Sequence, residues 1–273
     1  MTRRFQWRSH GALWLLIVLT YYPLLFVVLN SFKDNQAFTL QPFGFPKQWH
    51  MENYIAAWSG IWVFIKNTLG VTVVTVILVV ALSALTAYAF SRFSFAGKRL
   101  LYGIFLGLLM IPGTLTIIPL FMEVKSLGIL DTEWALIFPY VANGLAISIF
   151  IVRSFFDALP EELFEAGRMD GASEIYLFWK VAVPLSWPIL GAVAILQTLH
   201  VWGDYLWPVV ALGAHAKFTI SAGINYYAAS FGDVEKIGPV FASYVMATVP
   251  VVVLIIFTMR TYISGLTSGA LKA

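Results

Sequence analysis

Residues Ser154 to Pro188 read SFFDALPEELFEAGRMDGASEIYLFWKVAVPLSWP, a stretch too polar to continue the apolar run before it and too long to be a turn. Pro160 followed by Glu161 and Glu162 marks a helix start, because Pro loses nothing at the first helical position and carboxylates favour the positive end of the helix dipole. That helix is expected to run to about Met169. Asp170-Gly171 then breaks it, since Gly accepts the left-handed conformation that closes a helix. A second helix is expected from about Ser173 to Pro184, which has no N–H to donate. Leu163, Phe164, Met169, Ile175, Tyr176, Phe178 and Trp179 are abundant for a surface loop and need cover. They either pack on the ends of this chain's own apolar segments or meet another protein.

The surroundings of this hairpin are apolar to a degree that defines the solvent. Of 273 residues 60% are hydrophobic and only 11% charged, and the mean hydropathy is +0.82, far from ordinary soluble domains. At about 20 residues per bilayer crossing, the apolar runs predict six transmembrane helices, near Gly11–Leu29, Thr68–Phe90, Leu100–Met122, Trp134–Val152, Ile189–Leu212 and Ser243–Tyr262. Polar or Pro residues interrupt the third and fifth. The fold class is therefore an all-α integral membrane protein with a helix-turn-helix on one side. The expected organisation is residues 1–66 as a terminal segment, first span and long loop, residues 67–262 as a five-helix core, and residues 263–273 as a tail. The first run follows Arg3, Arg4 and Arg8, and it is long for a signal sequence with no A-x-A-like site after it, so it reads as an uncleaved anchor.

Short loops rich in Lys and Arg stay in the cytosol. Arg92, Lys98 and Arg99 crowd the second connection, whereas Glu123 to Glu133 carries only Lys125. Both termini, the second and fourth connections and the hairpin are thus expected in the cytosol, and the long first and fifth connections outside. Lys33, Lys47, Lys66, Lys217 and Lys236 weaken that count.

Several function classes drop out. With no Cys, disulfides, thiolate metal sites and cysteine nucleophiles are excluded. The net charge of +3 is scattered around the apolar runs, which fits membrane topology and not a nucleic-acid stripe. No G-x-x-x-x-G-K-[ST], H-E-x-x-H or G-x-S-x-G pattern occurs, and His10, His50, His200 and His215 show no ligand spacing, so no bound cofactor or metal is expected. Gly103 and Gly107, and the small face of Ser83, Ala87 and Ser91, allow close helix approach within the chain or to a second subunit. Trp14, Tyr21, Tyr22 and Trp134 read as interfacial anchors. Candidates for a substrate path are His200, Trp202, Asp204 and Tyr205 around the fifth span, with Thr114, Thr116 and Asn143 behind them. Asp204 either lines the path or caps broken backbone before Pro208.

Glu165-Ala166-Gly167, three residues, Gly171, nine residues, then Val181-Ala182-Val183-Pro184 resembles the EAA motif of ATP-binding-cassette (ABC) importer permeases, with Gly167 in place of Ala and Val in place of Ile and Leu. AYAFSRFSFAGKR (Ala87–Arg99), MIPGTLTIIPLF (Met110–Phe121), LGILDTEWALIFPY (Leu127–Tyr140), GDYLWPVV (Gly203–Val210) and GLTSGALK (Gly265–Lys272) are similar to the carbohydrate-importer branch that includes the maltose permease subunits. Gly203 departs from the Asn usual before this Asp. The resemblance implies a six-helix type I permease of a bacterial inner membrane, importing a sugar or oligosaccharide. Its expected partners are a second permease, two copies of an ATPase subunit that bind ATP and Mg, and an extracytoplasmic solute-binding protein. It also implies that Glu161, Glu162, Glu165, Ala166, Gly167, Asp170, Gly171, Ala172 and Pro184 belong to an ATPase-coupling element. Absent that resemblance, a stand-alone secondary transporter or channel is the competing class, although no inverted repeat is evident.

Because the chain has no thiol of its own, the side assignment is open to cysteine labelling. An impermeant thiol reagent added to intact cells should modify Ser59→Cys and leave Ser173→Cys untouched; the reverse pattern sinks the topology.

Overall fold

The computed structural model describes residues 3–230 and 236–270, and all regular structure among them is helical. In chain order the helices are α1 (Arg3–Asn30), α2 (Asn35–Leu40), α3 (Glu52–Arg92), α4 (Lys98–Leu108), α5 (Gly113–Ser126), α6 (Trp134–Asp157), α7 (Glu162–Met169), α8 (Glu174–Leu177), α9 (Val183–Leu185), α10 (Trp187–Gly203), α11 (Leu206–Ala211), α12 (Ile220–Ala229) and α13 (Ile237–Ala270). A π-helical turn, Phe178–Ala182, joins α8 to α9. Residues 271–273, the end of the expected tail, lie outside the described residues.

Four helices are long and apolar enough to cross a bilayer, within α1, α3, α6 and α13, and the number becomes six if two bent pairs each count as one span. These pairs are α4 with α5, bent by 102°, and the Glu174–Leu185 helix with α10, bent by 74°. The third apolar run is therefore not one straight rod. Pro112 adopts an extended conformation (ψ 126°) ahead of α5, and a residue without N–H cannot continue α4 across that point. The second run also differs from expectation: α3 starts at Glu52, not near Thr68, and its 41 residues extend about 60 Å, roughly twice the hydrocarbon thickness. Its first half continues the helix out of the apolar region. The fifth run stops at Gly203, breaks at Asp204 and resumes as α11.

Two compact units arise: Met1–Ile65 with Gly223–Pro250, and Lys66–Ala222 with Val251–Ala273. In the first, Asn53 is the buried clasp, its side-chain amide donating to the carbonyls of Ser31 and Lys33, each at 3.0 Å. Gly238 approaches the same place so closely that any Cβ would collide with the Lys33 carbonyl and the Asn53 side chain. Lys33, one of the five lysines that weaken the topology count, is buried and donates to the carbonyls of Gln41 and Pro42 at 2.8 and 3.1 Å. It reports loop closure more than topology. The apolar window of α1, by contrast, has no buried residue.

In the second unit α6 is the most enclosed of the long helices, with Ala135, Leu136, Ile149, Val152 and Phe156 all buried. The Trp207 indole N–H donates 2.9 Å to the Ala135 carbonyl and so fastens α11 to the start of α6. Ser83 and Ala87 are buried within the chain, which settles them as internal packing. Gly103 and Gly107 are not: nothing within the described chain comes within 4 Å of either missing Cβ.

Asp131 ties the segment before α6 to the loop before α12. Held at a φ of 58°, it accepts the N–H groups of Gly213 and Ala214 at 3.0 Å and the Lys217 ammonium at 2.7 Å. The Ala214 amide first, then Lys217, holds its carboxyl below the usual carboxylate range. A depressed carboxylate contributes its stabilisation above the unfolded-state value and loses it as pH falls through the folded one, so this latch should survive to below about pH 4. Hydrogen exchange of the Gly213 and Ala214 amides should be slow in the wild type down to that range and fast at neutral pH in Asp131→Ala; equal protection in both proteins would show the latch to be inert.

Candidate functional site

The hairpin begins at α7. Its end is a Schellman closure: the Ala172 N–H donates to the Gly167 carbonyl at 2.9 Å and the Gly171 N–H to the Arg168 carbonyl at 3.0 Å, with Gly171 at φ 79° where a Cβ is penalised. Ser173 then caps α8, its hydroxyl accepting the Tyr176 N–H at 3.3 Å. The second arm does not end at Pro184. The π turn passes into α9 with Pro184 in its first turn, where a missing N–H is tolerated, and the break falls at Ser186. Gly167, whose effect on helix propensity alone is unfavourable by about 1 kcal/mol relative to Ala, has a packing role: its Cβ would stand 2.5 Å from Cδ2 of Leu177. The absent methyl lets the two arms close.

The hairpin is clamped to the end of α3. The Arg92 side chain is only 5% exposed and forms an ion pair with Glu161, while its second guanidinium nitrogen donates to the carbonyls of Phe156 and Leu159 at 2.7 and 3.2 Å. Its guanidinium carbon lies 3.9 Å from the centre of the buried Phe164 ring. Arg168 bonds Glu161 at 3.0 Å and Glu174 at 2.7 Å. Those carboxylates, Glu174 foremost, hold its guanidinium even more firmly protonated than usual. Tyr88 completes the ring by donating to Glu174 at 2.8 Å, and its own ring meets Phe156, Phe164 and Phe178.

This clamp divides the apolar residues of the hairpin. Phe164 and Phe178 are buried with their rings against Tyr88 of α3, and Leu177 is buried between the arms at Gly167, whereas Leu163, Met169, Ile175, Tyr176 and Trp179 are exposed, Met169 at 88% and Ile175 at 74%. Glu162, Glu165, Ala166 and Asp170 are also exposed. Among the described residues the Glu165 side chain has no hydrogen bond or ion pair. Sequence reading found the exposed carboxylates but missed Arg92, Tyr88, Arg168 and Glu174 as a network. Arg92 had registered only as a topology charge.

The path candidates scatter. Asn143 and His200 line one recess between α6 and α10, together with Ser148 and Gln197, which had not been singled out. Asp204 is engaged by backbone and phenol: it accepts the Leu206 and Trp207 N–H groups at 3.1 and 3.4 Å and the Tyr140 hydroxyl at 2.8 Å. Trp202 is buried and its carbonyl accepts the Ser221 hydroxyl at 2.6 Å. Tyr205 is exposed. Thr114 and Thr116 sit on α5 outside the recess, Thr116 bonded to the Gly113 carbonyl at 2.8 Å. Among the described residues no group of His, Asp or Glu is arranged to hold a metal ion.

Comparison with known proteins places this architecture. Residues 79–262 match the family described as binding-protein-dependent transport system inner membrane component. The chain belongs to that family. It is a membrane component of a transport system and not an enzyme. The permease is 35% identical over 272 residues, 99% of its own length and 90% of the other, to the diacetylchitobiose uptake system permease protein NgcG of Streptomyces coelicolor. It is 34% identical to the inner membrane ABC transporter permease protein YcjP of Escherichia coli, covering 94% and 93% of the two chains. It is 32% identical to the trehalose/maltose transport system permease protein MalG of Thermococcus litoralis, covering 96% and 95%. Its fold matches a chain of a bacterial ABC transporter involved in import of the acidic polysaccharide alginate with a TM-score of 0.82, at 23% identity and coverage of 95% and 96%.

Arg92→Met keeps the aliphatic stem of the clamp and removes its charge-assisted bonds, each worth about 1.5–3 kcal/mol. Trypsin should then cut the purified permease at Arg168 and Lys180 several times faster while helix content is retained. Arg92→Lys should fall between, because an ammonium cannot reproduce the guanidinium fork. Unchanged cleavage in Arg92→Met would refute the clamp.

Proposed function

We propose that this permease is one of two membrane-spanning subunits of an ABC importer for a sugar or oligosaccharide, and that its hairpin is the element through which a separate ATPase drives it. The observation that carries this reading is the split surface of the hairpin. One face is fixed to α3 and α6 by Arg92 and its partners. The other presents unpaired Glu165 beside exposed Met169 and Ile175. A rigid element with an apolar, acidic outer face is suited to a cleft on another protein, where Glu165 meets basic or N–H donors. Glu161 belongs to the clamp in this scheme, while Glu162, Glu165, Ala166, Asp170 and Ala172 form the outer rim, and Gly167, Gly171 and Pro184 shape the two arms and their turn.

Carbohydrate as cargo follows from the relatives, named for diacetylchitobiose and for trehalose and maltose. ATP and Mg are bound by the ATPase, two copies of which dimerise beneath the permease pair, and an extracytoplasmic binding protein delivers the ligand. The hairpin and both termini lie in the cytosol, on the side of Arg92, Lys98 and Arg99. Residues 67–262 form the shared transport core, with residues 1–66 and 263–273 flanking it. ATP-driven closure of the ATPase pair moves the hairpin as a body and tips the spans between inward-open and outward-open arrangements.

Glu165→Ala and Gly171→Asp together should leave membrane abundance normal, abolish co-purification of the ATPase with the permease, and reduce uptake to background. Gly171→Asp forces a Cβ into a left-handed turn, at about 1 kcal/mol or more, and Glu165→Ala removes the contact itself. Full uptake by a well-expressed double variant would show that the hairpin does not couple the two subunits.

A further inference from the structure

The recess between α6 and α10 is a place where the chain leaves polar side chains unspent at membrane depth. Ser148 is 3% and Gln197 4% exposed, yet both line it. Among the described residues Ser148, Asn143 and the His200 ring have no hydrogen bond. Gln197 uses one N–H, in a long 3.3 Å bond to the Tyr140 carbonyl, and keeps its second N–H and its carbonyl oxygen. A serine in an apolar helix ordinarily satisfies itself on a carbonyl one turn back, as Ser154 of the same helix does with Phe150 at 2.9 Å. Ser148 does not. Against lipid, such a set of unmet donors and acceptors is costly, so this face of the helix pair meets water, a polar ligand or polar groups of a second subunit, and not lipid.

The helical register is consistent with one continuous wall. Asn143, Ile147, Ser148 and Ile151 share a face of α6, and Val193, Leu196, Gln197 and His200 share a face of α10. A different face of α10, carrying Leu190, Gly191 and Ala194, borders a separate groove lined only by apolar and Trp side chains. That groove suits lipid or another helix. Gly144 is part of the polar wall: its Cβ would lie 2.5 Å from Oε1 of Gln197, so only glycine leaves the carboxamide where it is.

We propose that this recess is a binding subsite on the transport path for the hydroxyl groups of an uncharged carbohydrate. The inference rests on the importer reading above and adds to it where the ligand is touched and what charge it has. A hydroxyl, two carboxamides and an imidazole both donate and accept, as sugar hydroxyls do, while Ile147 and Leu196 offer an apolar wall to ring C–H groups. No carboxylate, ammonium or guanidinium lines the site, and the nearby Asp204 is spent on Tyr140 and two backbone amides. At about 290 Å³ it sits at the lower end of ligand pockets, roughly 300–1,000 Å³, and holds one ring or one end of a longer chain.

The test uses the complete importer in proteoliposomes, with trehalose, maltose and N,N′-diacetylchitobiose as neutral probes and an alginate oligosaccharide as the acidic one. The wild type should take up at least one neutral probe and not the acidic one. Ser148→Ala and Gln197→Leu should each raise the KM for that probe about fivefold to tenfold, the scale of one lost hydrogen bond, and change the ranking among neutral probes. Gly144→Ala should do the same although it retains Gln197, and Phe150→Ala, exposed on α6 and outside the recess lining, should not. Uptake of a neutral probe with unaltered KM and ranking in the recess variants overturns the subsite and leaves the importer reading standing. A wild-type importer that takes up no neutral probe, or only the acidic one, overturns both. Should a variant fail to assemble, labelling decides: a positively charged thiol reagent must modify Ser148→Cys in the assembled importer and spare Phe150→Cys, and an unreactive Ser148→Cys refutes a water-filled recess.

Discussion

Arg92 is the charge on which the hairpin end of the helix bundle depends. It closes a 41-residue helix, lies almost wholly out of solvent, and spends its fork on Glu161 and on two carbonyls at the end of α6. Removing a guanidinium from water is costly and is offset only when its donors are met. Here most of them are, and an aromatic face takes part of the remaining surface. Through Glu161, Arg168, Glu174 and Tyr88 the same charge reaches both arms of the hairpin. The consequence is mechanical: a push on α7 or α8 cannot be absorbed by bending a loop, because the arms, α3 and α6 share one bonded knot.

A second constraint shapes the spans. Backbone groups at membrane depth must find partners inside the protein, so each helix break carries its own repair. At the α10 break the Asp204 carboxylate takes the first free amides of α11. At the bend before α10 the Ser186 N–H reaches the carbonyls of Ala182 and Val183. The π turn preceding it shifts the register so that Pro184 falls where no N–H is required. The 74° bend before α10 and the break at Asp204 are thus built features whose first free amides find partners within the chain.

How much of this was legible in the sequence depended on whether a residue's role was local. The hairpin turn was readable because Gly171 answers a local question about φ, and the apolar runs were readable because burial in lipid leaves a compositional mark. The start of α3 was missed because its first half mixes Trp, Asn and Ser with apolar residues, and hydropathy reports solvent more than conformation. The 102° bend was visible only as Pro112, with no measure of its angle. Gly167 looked like a weakened copy of Ala until Leu177 was found against it. Ser148 and Gln197 are single polar residues inside apolar runs, and nothing local separates a residue that bonds its own helix from one that faces a cavity. Arg92 was noticed for its sign, while its four partners lie 64 to 72 positions away in sequence, counting Phe164.

The polar wall of α6 and α10 also has an electrical meaning. Moving one elementary charge through the membrane field costs or yields about 2.3 kcal/mol per 100 mV. The recess carries no fixed ionised group, and the one carboxylate beside it is pinned to backbone amides and a phenol. A cycle that rocks these helices around a neutral ligand therefore displaces little charge across the bilayer. In the importer reading such a cycle is driven by ATP and draws little on the membrane potential.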